Sequence, residues 1–361
     1  MKILDRYLAL AVIAGSLMVL TVLMALTLTV LMALTLFVGL VGQLGNVGTG
    51  DYDLVTAAAY VVLGLPGQAV DLMPVAVLIG TLLGLGALAS QNELTVMRAA
   101  GMPISRVARG AVYGGLLLAA ACVLLAEWVA PPAERHADSM RAAALYQNVN
   151  ILGRGGAWLR EGDQFINTRQ ATAVSQVEGL YLYEFDEDNR LTRAAHASQA
   201  RHQAGAWRLD AVSETRPGED RVESSFNETM DWESGVGPEL LGLISVSPDM
   251  LSARGLWRYI QYLEGNNLDA DAYRIAFWFK LVIPLALPVM VLLAMPFLFG
   301  SLRSAGAGQR LMVGLVVGIG FYLVNITLLN VGAVLPLTPF LVAWLPTLLL
   351  LGVSLGILRR I

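Results

Sequence analysis

Six stretches of the chain are apolar for long enough to cross a bilayer, where about 20 residues must span roughly 30 Å of hydrocarbon. The first lies within Leu8–Gly42. The others cover about 72–89, 107–129, 275–299, 311–331 and 336–358. The first run is far too long for the apolar segment of a signal peptide. Between the third and fourth runs the pattern changes. From about Pro131 to Arg274 the chain carries more than half of its basic residues and most of its acidic ones. The middle of this region alternates with a period of two at Gln164-Phe165-Ile166-Asn167, Leu180-Tyr181-Leu182-Tyr183-Glu184-Phe185 and Trp207-Arg208-Leu209-Asp210-Ala211-Val212. Glu187-Asp188-Asn189-Arg190 reads as a turn before Leu191. Such alternation predicts antiparallel strands. Residues 252–274 read as a helix leading back to the membrane. The predicted fold class is an α-helical membrane protein of six transmembrane helices, three plus three, with an inserted all-β domain. The segments are 1–130, 131–274 and 275–361.

Composition agrees with this reading. Of 361 residues 56% are apolar and 14% charged, against about 45–50% and 25% in soluble proteins. The mean hydropathy is +0.62. Cys122 is the only cysteine, so no intramolecular disulfide can form. Charge sets the orientation, because cytoplasmic short loops collect Lys and Arg. Lys2 and Arg6 precede the first span, and Arg98, Arg106 and Arg109 separate the second from the third. Arg303 and Arg310 separate the fourth from the fifth, and Arg359 and Arg360 follow the sixth. The opposite short loops, about 43–56 and 332–335, contain neither residue. Both termini are expected in the cytoplasm and the β domain on the far side.

Thr21–Leu28 and Thr29–Leu36 both read TVLMALTL. An uncharged first helix of about 35 residues would be about 52 Å long, well beyond the hydrocarbon. The repeat is either a functional extension that guides a ligand past the membrane, or a tandem duplication absorbed by tilt or by Gly39, Gly42 and Gly45.

The chain lacks the chemistry of a self-powered pump. A P-loop needs Lys directly after Gly, and neither Lys2 nor Lys280, the two lysines, has that context. His136, His196 and His202 are scattered without metal-ligand spacing, so no metal, cofactor or catalytic residue is expected. Asp71 follows Pro66-Gly67, read as a helix break, while Glu127 and Lys280 sit near span ends. A proton-driven carrier is weakly supported.

Between the second and third spans, Asn92–Gly101 reads NELTVMRAAG before Met102-Pro103. It is a short helix stopped by Gly101 and Pro103. Glu93, Val96 and Met97 share one face at i, i+3 and i+4. One acid beside an apolar stripe suits docking into a cleft on a cytoplasmic partner. A plain connector whose arginines answer the orientation rule fits as well.

Several motifs together resemble one family. They are Leu4-Asp5-Arg6-Tyr7, Asp51-Tyr52-Asp53, the glycines Gly80, Gly84 and Gly86, and the NELTVMRAAG loop. Glu127-Trp128-Val129-Ala130-Pro131, Ser247-Pro248-Asp249 with Leu251-Ser252, Lys280, and Phe299-Gly300-Ser301-Leu302-Arg303-Ser304 complete the set. The chain resembles, nearly end to end, the inner-membrane permeases of the lipopolysaccharide export system, the LptF/LptG family.

That resemblance implies a non-enzymatic permease subunit of an ABC-type exporter, which extracts lipopolysaccharide from the bacterial inner membrane. It implies an LptF-like permease as heterodimer partner, an LptB-like ATPase dimer, an LptC-like single-span protein and an LptA-like periplasmic bridge. The β domain becomes a periplasmic jelly-roll-like fold. The segment at about 91–101 becomes the coupling helix, with Glu93, Val96, Met97 and Arg98 toward the ATPase. Arg141, Lys280 and Tyr322 become lipid-facing. Family members often carry lysines near the outer end of the first helix. Gly39–Asn46 contains none, so phosphate contact there must come from elsewhere. A permease for another envelope lipid or lipoprotein, and a non-transporting sensor or assembly protein, are the alternatives. In a receptor domain Trp158, Phe165, Tyr181, Tyr183 and Trp207 would be ordinary inward-facing core.

Overall fold

The computed structural model describes the chain except residues 1–2, 43–53, 146–156, 174–175, 187, 189, 204–205, 219–220, 233, 235–247, 300–305, 335–337 and 360–361. Lys2, Gly45, Asp51-Tyr52-Asp53, Glu187, Asn189, Ser247, Gly300–Ser304 with Arg303, and Arg360 lie outside the described residues, as do most of the loop 43–56 and residue 335 of the loop 332–335. The chain divides into two units. One comprises Met1–Asp138, Ser252–Leu256 and Asp271–Ile361, the other Ser139–Leu251 and Trp257–Ala270.

In the first unit, six described helices are long and apolar enough to cross a membrane. They belong to α1 (Ile3–Gly42), α2 (Leu54–Ser90), α4 (Ile104–Leu124) with its continuation, α7 (Asp271–Phe299), α8 (Ala307–Val334) and α9 (Pro339–Leu358). Between α2 and α4 lies the short α3 (Glu93–Ala99). α1 is unbroken through the repeat, and Thr21, Thr27 and Thr29 donate their hydroxyls to carbonyls four residues back at 2.7–2.8 Å. That bond satisfies a polar side chain without any partner helix.

Two helices extend past the apolar runs read from the sequence, and the helix break expected at Pro66-Gly67 is absent. α2 runs continuously from Leu54 through Pro66 and Pro74, because a proline in a membrane helix is tolerated where neighbours re-satisfy the freed groups. The helix of the third run likewise continues past 129. A five-residue π-helical turn, Leu125–Val129, leads directly into α5 (Ala130–Leu145). This wider turn stands just ahead of Pro131 and Pro132, which cannot donate to the helix ladder.

The core of this unit is built around α2. Leu78, Leu82 and Leu85 are fully buried with Leu8 and Val12 of α1, Val107 and Ala111 of α4, and Leu287 and Met290 of α7. Close approach is required where α1 meets α2: a Cβ at Gly80 would overlap the Ser16 backbone, and one at Gly84 the Ala11 carbonyl. Lipid offers no hydrophobic drive between helices, so such backbone contact is what holds them together. Arg310, expected in a solvated loop, is buried at the start of α8 and donates to the Gly86 carbonyl of α2.

The second unit contains six antiparallel strands in sequential order: β1 (Ala157–Glu161), β2 (Gln164–Ala173), β3 (Gln176–Phe185), β4 (Leu191–Gln203), β5 (Ala206–Pro217) and β6 (Val222–Trp232). The all-β expectation for the insertion is met, with the Asp186–Arg190 turn closed by Asp186 N–H donating to the Arg190 carbonyl at 3.0 Å. One face buries Ile166, Val177, Leu180, Leu182, Ala195, Ala197, Ala200, Trp207, Leu209 and Val212. Burial steps by three rather than two at 177–180, 197–200 and 209–212. These steps lie side by side, since Glu178 pairs Gln199 and Gln199 pairs Asp210. Gly179 and Ala211 take positive φ there, 66° and 50°, so a line of irregular rungs resets the alternation across three strands.

Four of the five aromatics expected inside are on the other face. Only Trp207 belongs to the core. Trp158 is 61% exposed and stacks on Tyr183, which stacks on Tyr181, and Phe165 meets Phe185 edge-on. A period of two says which residues share a face, but not which face is buried. Aliphatic neighbours took the core. The amphipathic α6 (Ala253–Gly265) buries Tyr259, Ile260 and Leu263. Its Tyr262 donates to the Arg160 carbonyl at 2.9 Å, and burial pushes its phenol pKa up.

Candidate functional site

The short helix between α2 and α4 is held by its ends and by one side chain. Asn92 precedes it with φ 61°, and Gly101 follows with φ 86°, a conformation that favours glycine. Gly101 and Met102 donate back to the carbonyls of Arg98 and Met97 at 2.9 and 3.2 Å, so the helix stops where the sequence predicts. Leu94 is buried and anchors it, and Met97 packs half-buried on the same core. Val96 is 66% exposed. Val96 and Met97, expected on one docking face, are thus divided between solvent and core. The Arg98 guanidinium lies 5.7 Å from the Phe299 ring centre. With Leu94, Thr95 and Leu298 these two line a mixed polar and apolar cleft of about 380 Å³.

Glu93 is not a solitary acid. Tyr7 of α1 donates its hydroxyl to Glu93 Oε2 at 2.9 Å. Beyond the other end of α3, Arg106 donates to Asp5 Oδ2 at 3.3 Å, with Asp5 almost fully buried. Neither link was visible in the sequence. The Leu4-Asp5-Arg6-Tyr7 motif contains both α1 partners, but only helix packing says what they meet.

A second feature lies where α2, α7 and α8 converge. Tyr322 lines a cavity of about 130 Å³ with Asp71, Phe279, Phe321 and Asn325. Lys280, on α7 beside Phe279, is half-buried, and Arg141 is exposed near the end of α5. Asp71 and Asn325 were not singled out as site residues. Asp71 lines this cavity because α2 continues unbroken past Pro66-Gly67.

Glu127 has a structural task. The π-helical turn aims its carboxylate at the start of α6, where Oε2 accepts from Ala253 N–H at 2.9 Å and Oε1 from Arg254 N–H at 3.3 Å. A carboxylate at a helix N-terminus satisfies orphan donors and meets the positive end of the helix dipole. His196 and His202 are ring neighbours of Tyr181 and Trp207 in the sheet. Among the described residues no group of His, Cys, Asp and Glu is placed to hold a metal ion.

Residues 15–360 match the family model described as lipopolysaccharide export system permease LptF/LptG. Over 363 residues the chain is 32% identical to the lipopolysaccharide export system permease protein LptG of Escherichia coli K12, covering 99% of this chain and 98% of that protein. LptG of Haemophilus influenzae is 32% identical over 359 residues, with the same coverage. LptF of Escherichia coli K12 is 22% identical over 331 residues, 88% of this chain and 86% of that protein. The higher identity and wider coverage fall on the LptG side.

Proposed function

The chain belongs to the LptF/LptG family of lipopolysaccharide export system permeases, and from that premise we propose that it is the LptG-type half of the permease. It extracts lipopolysaccharide from the bacterial inner membrane and passes it to a periplasmic bridge. The full-length match to LptG carries this reading. Its six spans form half of a cavity that an LptF-like permease completes, with an LptC-like span at its side and an LptA-like protein receiving the lipid. Lipid A is acidic at its head and apolar in its chains, so its path needs an apolar wall with basic groups. Tyr322 contributes to the wall, and Lys280 and Arg141 contribute the charge.

The chain supplies no ATP hydrolysis, which belongs to an LptB-like ATPase dimer in the cytoplasm. The ATPase docks on α3. There Glu93 meets basic groups, Val96 offers the exposed apolar contact, and Arg98 borders the adjacent cleft while Met97 anchors the helix. The termini lie in the cytoplasm, in accord with the arginines of the short loops, and the β domain lies in the periplasm.

Gentle purification from the native membrane tests this assignment. Recovery of a soluble ATPase, a second six-span permease and bound lipopolysaccharide is the expected result. A chain that is reproducibly solitary, under conditions that preserve other ABC complexes, would favour the sensor reading. A partnered chain carrying a different lipid would change the substrate.

A further inference from the structure

We infer that Tyr7 is a positioning residue that joins the start of α1 to the coupling helix α3, so that a stroke delivered to α3 also moves α1. The inference rests on the reading of α3 as the ATPase-docking element. Tyr7 donates to Glu93 Oε2. Among the described residues this is the only side-chain hydrogen bond of Glu93, and a carboxylate has about four acceptor sites on two oxygens. Oε1 therefore remains for a basic group of a partner while Oε2 is held by α1. One side chain can serve both contacts at once.

The grip on α1 has a second point. Asp5 pairs with Arg106 at 3.3 Å, and Arg106 lies in the first turn of α4, just past the loop that follows α3. The two bonds bracket the α3 segment: Glu93 opens it and Arg106 follows it. Between them the start of α1 has no room to slide. Leu8 and Val12 are fully buried, and a Cβ at Gly114 of α4 would stand 2.8 Å from the Ala9 carbonyl. Close-packed elements of this kind move together rather than deform.

Further along, α1 changes character. Leu17, Met18, Val22, Leu26 and Val30 are all exposed in the single chain. α1 is thus a helix of 40 residues, about 60 Å long, packed on its own chain as far as Val19 while exposing these five apolar side chains. Displacement of the packed end is carried along the rest of the helix, which the Thr21–Leu36 repeat lengthens.

Two substitutions separate this role from docking, each made in the chain assembled with its partner permease and ATPase in lipid vesicles. Tyr7→Phe keeps the ring and removes only the donor. Glu93→Gln keeps an acceptor for Tyr7 and removes the charge. For Tyr7→Phe the ATPase is expected to stay bound, while lipopolysaccharide released per ATP hydrolysed falls about fivefold, the lower end of typical coupling between sites. Unchanged release per ATP would overturn the inference. So would loss of the ATPase, because Tyr7 would then serve docking itself. Glu93→Gln is expected to lose ATPase. If it retains the ATPase, the docking role of Glu93 fails, and the Tyr7→Phe ratio still decides whether α1 and α3 are linked.

Discussion

Gly80→Val is expected to remove nearly all folded protein from the membrane fraction. A Cβ at this position would overlap the backbone of Gly15 and Ser16, and backbone cannot rotate aside as a flexible side chain can. α1 and α2 would have to separate, loosening Leu8, Val12, Leu78 and Leu82, which are fully buried in one cluster. Overpacking of a well-filled core costs about 1–3 kcal/mol and occasionally more. The upper part of that range applies here, because the obstruction is backbone and the helices have no hydrophobic drive to reseat in lipid. The check is the yield of monodisperse protein after detergent extraction, with Gly352→Val as control, since an added Cβ there meets nothing within 4 Å. Wild-type yield for Gly80→Val would mean that α1 and α2 are not in backbone contact.

Glu93→Arg is expected to produce the largest functional loss while leaving the membrane unit folded. Glu93 is only half-buried, so the substitution creates no buried unpaired charge in the isolated chain. At an interface it replaces attraction to a basic partner group by repulsion. Losing one member of a buried, hydrogen-bonded charge pair costs about 2–5 kcal/mol, and at least about tenfold less ATPase should remain bound. The readout is the ATPase retained per permease after purification, compared with the yield of the permease itself. Full retention would remove Glu93 from the docking surface.

The six spans were legible because an apolar run of bilayer length leaves little else to be. Their ends were less so. Pro66-Gly67 reads as a break and the third apolar run stops near 129, yet continuous helix passes through both places. In the sheet, β2, β3 and β5 were announced by alternation and the start of β4 only by the turn before Leu191, whereas β1 and β6 were not: eight of the eleven residues of β6 are exposed in succession, so no buried face marks it. The step from 177 to 180 depends on irregular rungs shared by three strands, which no single strand reveals. The short helix α3 was legible through Glu93 and Gly101. Its partner Tyr7 lies 86 residues away, and Glu127 caps a helix 126 residues downstream. Each of those pairs exists only after helices pack.

The central claim is that this chain moves lipopolysaccharide outward using ATP hydrolysed by another chain. The most direct measurement reconstitutes it with its partner permease and ATPase in lipopolysaccharide-containing vesicles and follows transfer to a soluble acceptor. Transfer that requires both ATP and the ATPase, and that Glu93→Arg abolishes, is the predicted result. ATP hydrolysis without transfer of lipopolysaccharide, or transfer that proceeds without the ATPase, would contradict it.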